Sequence, residues 1–234
     1  MLVEVIACSY DDAVIAKDAG ADRVELCLAI EVGGLTPYLE TIRKCGSLAP
    51  FPVVVMVRPQ PGGFNHQKRQ ILEQIDSILD LNLSNIQFIS GALNAENELD
   101  ILALKEIRTK TEGRILACHR CFDLTPDPYV ALEQLIDLGY DRALTSGQEV
   151  SALRGIHVIA KLQEQAAGRI EILPGSGIRP NNAQEIIKAT GVTQIHASCF
   201  SDPMEPVSKI DFGPNLEVDV EKVLALVSVA KAKN

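Results

Sequence analysis

With 234 residues, 47% of them hydrophobic and only 4% aromatic, the chain can build a substantial aliphatic core, and disorder is excluded. Its net charge of −9, without any Lys/Arg cluster, argues against nucleic acid or an anionic membrane as a partner. The longest apolar run, FPVVVMV at 51–57, is far too short to span a bilayer, and MLVEVIACSYDD has no basic n-region. The chain therefore reads as cytoplasmic, with its six cysteines reduced.

Short β-branched or aliphatic runs recur, each followed by an amphipathic stretch. A first strand is read at 2–7, after which Ser9 offers an N-cap and Gly20 a stop for the first helix. Strands two to five are read at 22–26, 52–57, 85–90 and 114–117, with Cys45 packed late in the second helix. PDPYVALEQLIDLG opens on prolines and ends at Gly139, a helix ahead of strand six at 141–144. LRGIHVIAKLQEQ is helical and makes His157 structural. Strand seven at 169–173, a helix closed by Gly191 and strand eight at 193–197 complete the series. EVDVEKVLALVSVAKAK reads as a closing amphipathic helix or an oligomer contact.

Eight βα units without a linker-like segment predict one α/β domain over 1–234, a (β/α)8 TIM barrel. The rival, a doubly wound dinucleotide-binding sheet, wants a Gly-rich turn after its first strand, where this chain has CSYDD. Strand alternation sorts the faces. Glu4, Ile6 and Cys8 share one parity, as do Glu25 and Cys27, then Val54, Met56 and Arg58, then Gln194, His196 and Ser198. This polar set should point into the barrel toward its C-terminal mouth, where barrel active sites are built. Val3, Val5 and Ala7 have the opposite parity and should meet the helices.

ACHRCFD at 117–123 follows the fifth strand and holds a Cys-x-x-Cys spacing. A thioredoxin-like motif needs a helix starting at its first cysteine, but Pro126 and Pro128 delay the helix. Haem attachment needs a histidine at position 122, which is Phe, and zinc needs a second ligand pair that the sequence lacks. His119, Arg120 and Asp123 are the stronger candidates: an imidazole that titrates near neutrality, a guanidinium fork for an anion, and a carboxylate to orient either. The bland alternative is a loop-anchoring salt bridge between Arg120 and Asp123.

GADRVELC (20–27), GGLTP (33–37), VMVRP (55–59), HRCFD (119–123), LTSGQ (144–148) and PGSGI (174–178) occur in this order, and together they resemble the CutC family, named for copper homeostasis. The resemblance runs from about Glu4 to Ser198. It implies a cytosolic TIM barrel that forms homo-oligomers, dimer or tetramer, and handles Cu(I) through cysteines. Cys8 and Cys27 match the family's positions at the first two strand ends. The family's RPRGGDF appears here as RPQPGGF (58–64), and its FHRAFD as CHRCFD, which adds two thiols. SDPMEPVSKIDFGPN, beyond the eighth strand, is idiosyncratic.

Cu(I) prefers thiolates at low coordination number. Neighbouring parallel strands lie about 4.8 Å apart, so Cys8 and Cys27 in phase at adjacent strand ends would present both sulfurs to one ion. Cys199, after strand eight, is offered as a third ligand from the side. A rival reading makes the barrel an isomerase- or lyase-type enzyme on a small anionic carbonyl or sugar compound. It uses Glu25, Arg58, His119, Arg120 and Asp123, with Glu4 and His196 in the same cavity. Gly175, Ser176 and Gly177, after strand seven and before a helix, are expected to bind an anion. His66 lies in the loop after strand three, as part of a lid or a solvated turn.

Overall fold

The alternation of aliphatic runs with amphipathic stretches resolves into eight strands, each followed by a helix. The computed structural model describes residues 1–65, 68–201 and 216–232, so His66 and most of the segment after Ser201 lie outside the described residues. The strands are β1 (Leu2–Ala7), β2 (Arg23–Leu26), β3 (Val53–Val57), β4 (Ile86–Ser90), β5 (Leu116–Cys118), β6 (Arg142–Thr145), β7 (Glu171–Pro174) and β8 (Gln194–Ala197). They interleave with α1 (Tyr10–Asp18), α2 (Leu39–Gly46), α3 (Lys68–Leu79), α4 (Ile101–Lys110), α5 (Pro128–Asp137), α6 (Ile156–Ala166), α7 (Pro180–Thr190) and α8 (Val220–Lys231).

All ladders are parallel, in the order β7-β6-β5-β4-β3-β2-β1-β8. β7 and β8 lie side by side and nearly close the cylinder, giving the expected barrel. Among the described residues no helix is long and apolar enough to cross a membrane.

Local chemistry explains the boundaries. Ser9 caps α1 by accepting the Asp12 amide at 3.0 Å, and Gly20, with φ +92, turns the chain into β2. Asp127 caps α5 with Pro128 at its first position. Gly191 ends α7 in the left-handed conformation.

Parity separates two cores. Val3, Val5 and Ala7 belong to an outer cluster between strands and helices. Ile6, Cys27, Val54, Met56, Ala117, Leu144 and Leu173 fill the cylinder. Each fully buried aliphatic side chain contributes about 1.5–3 kcal/mol, so both layers fix which way every strand faces. A slip of one residue would exchange the layers and bury the wrong set.

Candidate functional site

The inward parity gathers charge at one level of the barrel. Glu4, Arg23, Glu25, Gln194 and His196 are all nearly inaccessible, between 1 and 4% exposed. The register explains their meeting: Glu4 on β1 lies opposite both Arg23 on β2 and His196 on β8. Glu4 accepts from Arg23 Nε with one oxygen and hydrogen-bonds His196 Nδ1 at 2.7 Å with the other. Arg23 Nη2 donates to Gln194 Oε1 at 2.5 Å. Burial alone would raise the Glu4 pKa, but Arg23 and His196 outweigh it and hold the carboxyl at about 2.

Glu25 is treated differently. Its Oε2 is buried with no hydrogen-bond partner among the described residues. Burial, opposed by His196 and reinforced by Glu4, lifts its pKa to about 7. His196 is pushed down by burial but held above its usual value by Glu25 and Glu4.

Above this layer lies a cavity of about 240 Å³ whose lining includes Glu25, Arg58, His119, Arg120, Ser176, Gly177 and His196. Six of the residues expected from sequence thus share one cavity, with His196 beside them. One wall is a stack: the Arg58 guanidinium lies 4.7 Å from the Phe64 ring centre, and Phe64 lies 4.9 Å from the His119 ring. His119 Nδ1 accepts the Cys121 amide at 3.3 Å, which assigns its ring proton to Nε2.

Several candidates are more structural than the sequence implied. Arg58 Nη1 donates to the carbonyls of Val32 and Gly34, and Nη2 to that of Gly62, so this side chain ties two loops together. Asp123 accepts from Arg120 Nε at 2.8 Å, from Thr145 Oγ1 at 2.5 Å, and from the amides of Ser146 and Gln148. Asp123 is outside the cavity lining and matches the bland alternative, an anchor between two loops. Gly175 gives its amide to the Thr145 carbonyl at 2.9 Å, so it is no anion donor. It must be glycine for another reason, since a Cβ there would come within 2.7 Å of Leu144 Cδ1 and 3.0 Å of His196 Cδ2. Ser176, at φ +76, donates its hydroxyl to the Val150 carbonyl.

The thiols divide by layer. Cys8 Sγ and Cys27 Sγ stand 4.0 Å apart at the ends of β1 and β2, Cys27 fully buried and Cys8 half-buried. The Cys8 amide donates to Asp12, whose other oxygen accepts the Val218 amide, so the start of the closing helix fixes this strand end. Contact with Cys8, then burial and the nearby carboxylate of Glu25, push the Cys27 thiol well up. Met56 was not singled out as a sulfur donor from sequence. Its methyl carbon and Cys27 Cβ would each lie 3.4 Å from a Cβ placed on Gly34, which puts a thioether side chain in the same corner.

Cys199 belongs instead to the outer core, because Ser198 before it faces the cavity; it is not a third ligand to the pair. Cys118 and Cys121 are also in the outer core, wholly buried with sulfurs 3.7 Å apart. Burial, then Cys118, pushes the Cys121 thiol well above its ordinary value.

Comparisons with known proteins agree on one family. The sequence model described as the CutC family matches residues 1–201. A CutC protein of Treponema denticola is 40% identical over 210 residues, covering 88% of this chain and 85% of the relative. The Homo sapiens copper homeostasis protein cutC homolog is 35% identical, covering 98% of this chain and 89% of the relative. A solved CutC structure from Streptococcus agalactiae superposes with a TM-score of 0.78 at 32% identity, covering 84% of this chain and 98% of that one. The phosphoribosylanthranilate isomerase of Pyrococcus furiosus, at TM-score 0.62 and 16% identity, shares the fold alone.

Proposed function

The chain belongs to the CutC family, and on that premise we propose that it acts in copper homeostasis, holding Cu(I) between Cys8 and Cys27. The observation that carries this reading is the 4.0 Å between the two sulfurs. Metal–thiolate bonds run to about 2.3 Å for zinc, so two sulfurs sharing an ion of that size stand no more than about 4.6 Å apart. The pair is near that spacing without rearrangement, in an apolar corner that suits a soft ion at low coordination number. Binding deprotonates the thiols, so uptake releases protons and weakens in acid. The reading takes the protein to be cytoplasmic, because the pair has to remain reduced.

An anaerobic Cu(I) titration against a competing chelator tests it. Wild type should take one ion, and Cys8→Ser with Cys27→Ser should abolish that uptake. If the double variant retains the wild-type affinity, the assignment is wrong.

Glu25 favours a second reading. A buried carboxyl with a pKa of about 7 is matched to general acid–base work at neutral pH. On this reading the cavity takes a small anionic carbonyl or sugar compound for an isomerase- or lyase-type reaction. His119 would be the opposite acid–base group, and Arg120 with the Ser176–Gly177 turn would meet the anion. A thermal-shift screen of small anions should find one that stabilises wild type but not His119→Ala. Hits indifferent to that change would count against it.

A further inference from the structure

Glu25 Oε2 is an exception in a layer where other charged groups are matched. A carboxylate oxygen that leaves water without a partner is costly, and such groups acquire a proton or a cation. Its charged neighbours spend these donors elsewhere: Arg23 gives Nε to Glu4 and Nη2 to Gln194, and His196 gives Nδ1–H to Glu4. A histidine that donates Nδ1–H to a carboxylate leaves Nε2 as the nitrogen that can ligate once a metal displaces its proton, the arrangement found behind metal-bound imidazoles. One ligand atom from each of Glu4, Glu25 and His196 lies within 4.8 Å of the other two. Glu25 and His196 both line the cavity, so an ion between them would be reachable from solvent and keep open positions.

We propose that Glu25 and His196 bind a divalent transition-metal cation at the floor of the cavity, with Glu4 as the positioning residue behind His196. The site is distinct from the thiol pair. Its nitrogen and oxygen donors suit Zn²⁺, Co²⁺ or Mn²⁺, whereas the two sulfurs suit Cu(I). Arg120, His119, Ser176 and Gly177 line the same cavity, so an anionic ligand held there would be placed to complete the coordination. The inference does not rest on the copper reading, and it competes with the acid–base reading for Glu25.

The test uses the full chain carrying Cys8→Ser and Cys27→Ser, so that the thiol pair at the β1 and β2 ends cannot take the ion; thiolate ligation by any other cysteine would show as a sulfur charge-transfer band in the Co²⁺ spectrum. Zn²⁺ is titrated calorimetrically and Co²⁺ by its visible absorption. One saturable equivalent is expected, with a Co²⁺ spectrum of mixed nitrogen and oxygen ligation. Adding Glu25→Gln should weaken Zn²⁺ binding by about tenfold or more, and adding Glu4→Gln should weaken it by about 10–100-fold, as loss of a second carboxylate behind a histidine ligand does. Glu25→Gln removes a buried charge and keeps the volume, so it is the variant expected to fold; circular dichroism checks this, and His196→Gln provides an independent second variant. No saturable binding, or binding that neither Glu25→Gln nor His196→Gln alters, overturns the proposal. Loss of metal binding in these variants with Cu(I) uptake intact in the thiol-bearing protein supports it and leaves the copper reading standing.

Discussion

Glu4 Oε1 and His196 Nδ1 stand 2.7 Å apart across the seam where the first and last strands pair, both nearly sealed from water. Glu4 also neutralises Arg23, so one carboxylate holds two elements of the barrel floor. Glu4→Gln would leave the Arg23 guanidinium buried against a neutral amide, and breaking a buried pair from one side costs about 3–5 kcal/mol. Urea denaturation at neutral pH should register that loss. The pKa of about 2 gives the pH dependence: with the folded value below the ordinary 4.5, this stabilisation is full above pH 4.5 and disappears as pH falls toward 2. A Glu4→Gln protein as stable as wild type at pH 7 would contradict the pairing.

Glu25 has the opposite sign. Its folded pKa of about 7 lies above the unfolded 4.5, so the folded state holds its proton longer. Below pH 4.5 both states are protonated and the residue has no effect. As pH rises from 4.5 through 7 the unfolded state ionises first, and stability is lost. At about 1.4 kcal/mol per unit, the upper limit is about 3 kcal/mol. With metal chelated, Glu25→Gln should match wild type at pH 4 and exceed it in melting temperature at pH 8. Equal melting temperatures at both pH values would mean that Glu25 has a compensating partner.

Gly91 explains how the Cys118–Cys121 segment is seated. A Cβ on Gly91 would fall 2.5 Å from Cys121 Sγ and 3.0 Å from His119 Cε1. Gly91→Ala should therefore cost about 1–3 kcal/mol through overpacking. Cys121→Ala removes the nearer obstacle, so the double variant should recover part of the loss, with a coupling of about 0.5 kcal/mol or more. Strict additivity of the two changes in chemical denaturation would show that the sulfur is not the obstacle.

The barrel was legible because its signals are local. Each strand run and each Ser, Pro or Gly boundary can be read within about ten residues, and parity alone sorts Glu4, Glu25, Cys27 and Met56 inward. What parity cannot supply is pairing. Glu4 and His196 are 192 positions apart and meet only because β1 and β8 adjoin. Glu4 pairs with Arg23 because the β1–β2 register sets the two residues opposite each other. The loops were harder still. Arg58 looks like an anion clamp in sequence because its carbonyl partners, Val32, Gly34 and Gly62, carry no side-chain signal. Cys199 was misplaced by one step of alternation beyond the strand end.

Asp123 allows a decision between catalysis and anchoring. Its two oxygens accept from Arg120, Thr145 and the amides of Ser146 and Gln148, joining the β5 and β6 loops. Asparagine fills the same space but offers one acceptor oxygen, and its NH₂ group would face donors instead of receiving them. Each buried donor left unmatched costs about 1–3 kcal/mol, so Asp123→Asn should destabilise the fold by a few kcal/mol and expose the 145–151 loop to protease. A catalytic aspartate would behave otherwise, since replacement by its amide commonly spares stability while removing activity. Melting temperature and limited proteolysis, neither of which requires a substrate, separate the two. An unchanged melting temperature with an intact loop would return Asp123 to the list of reacting groups.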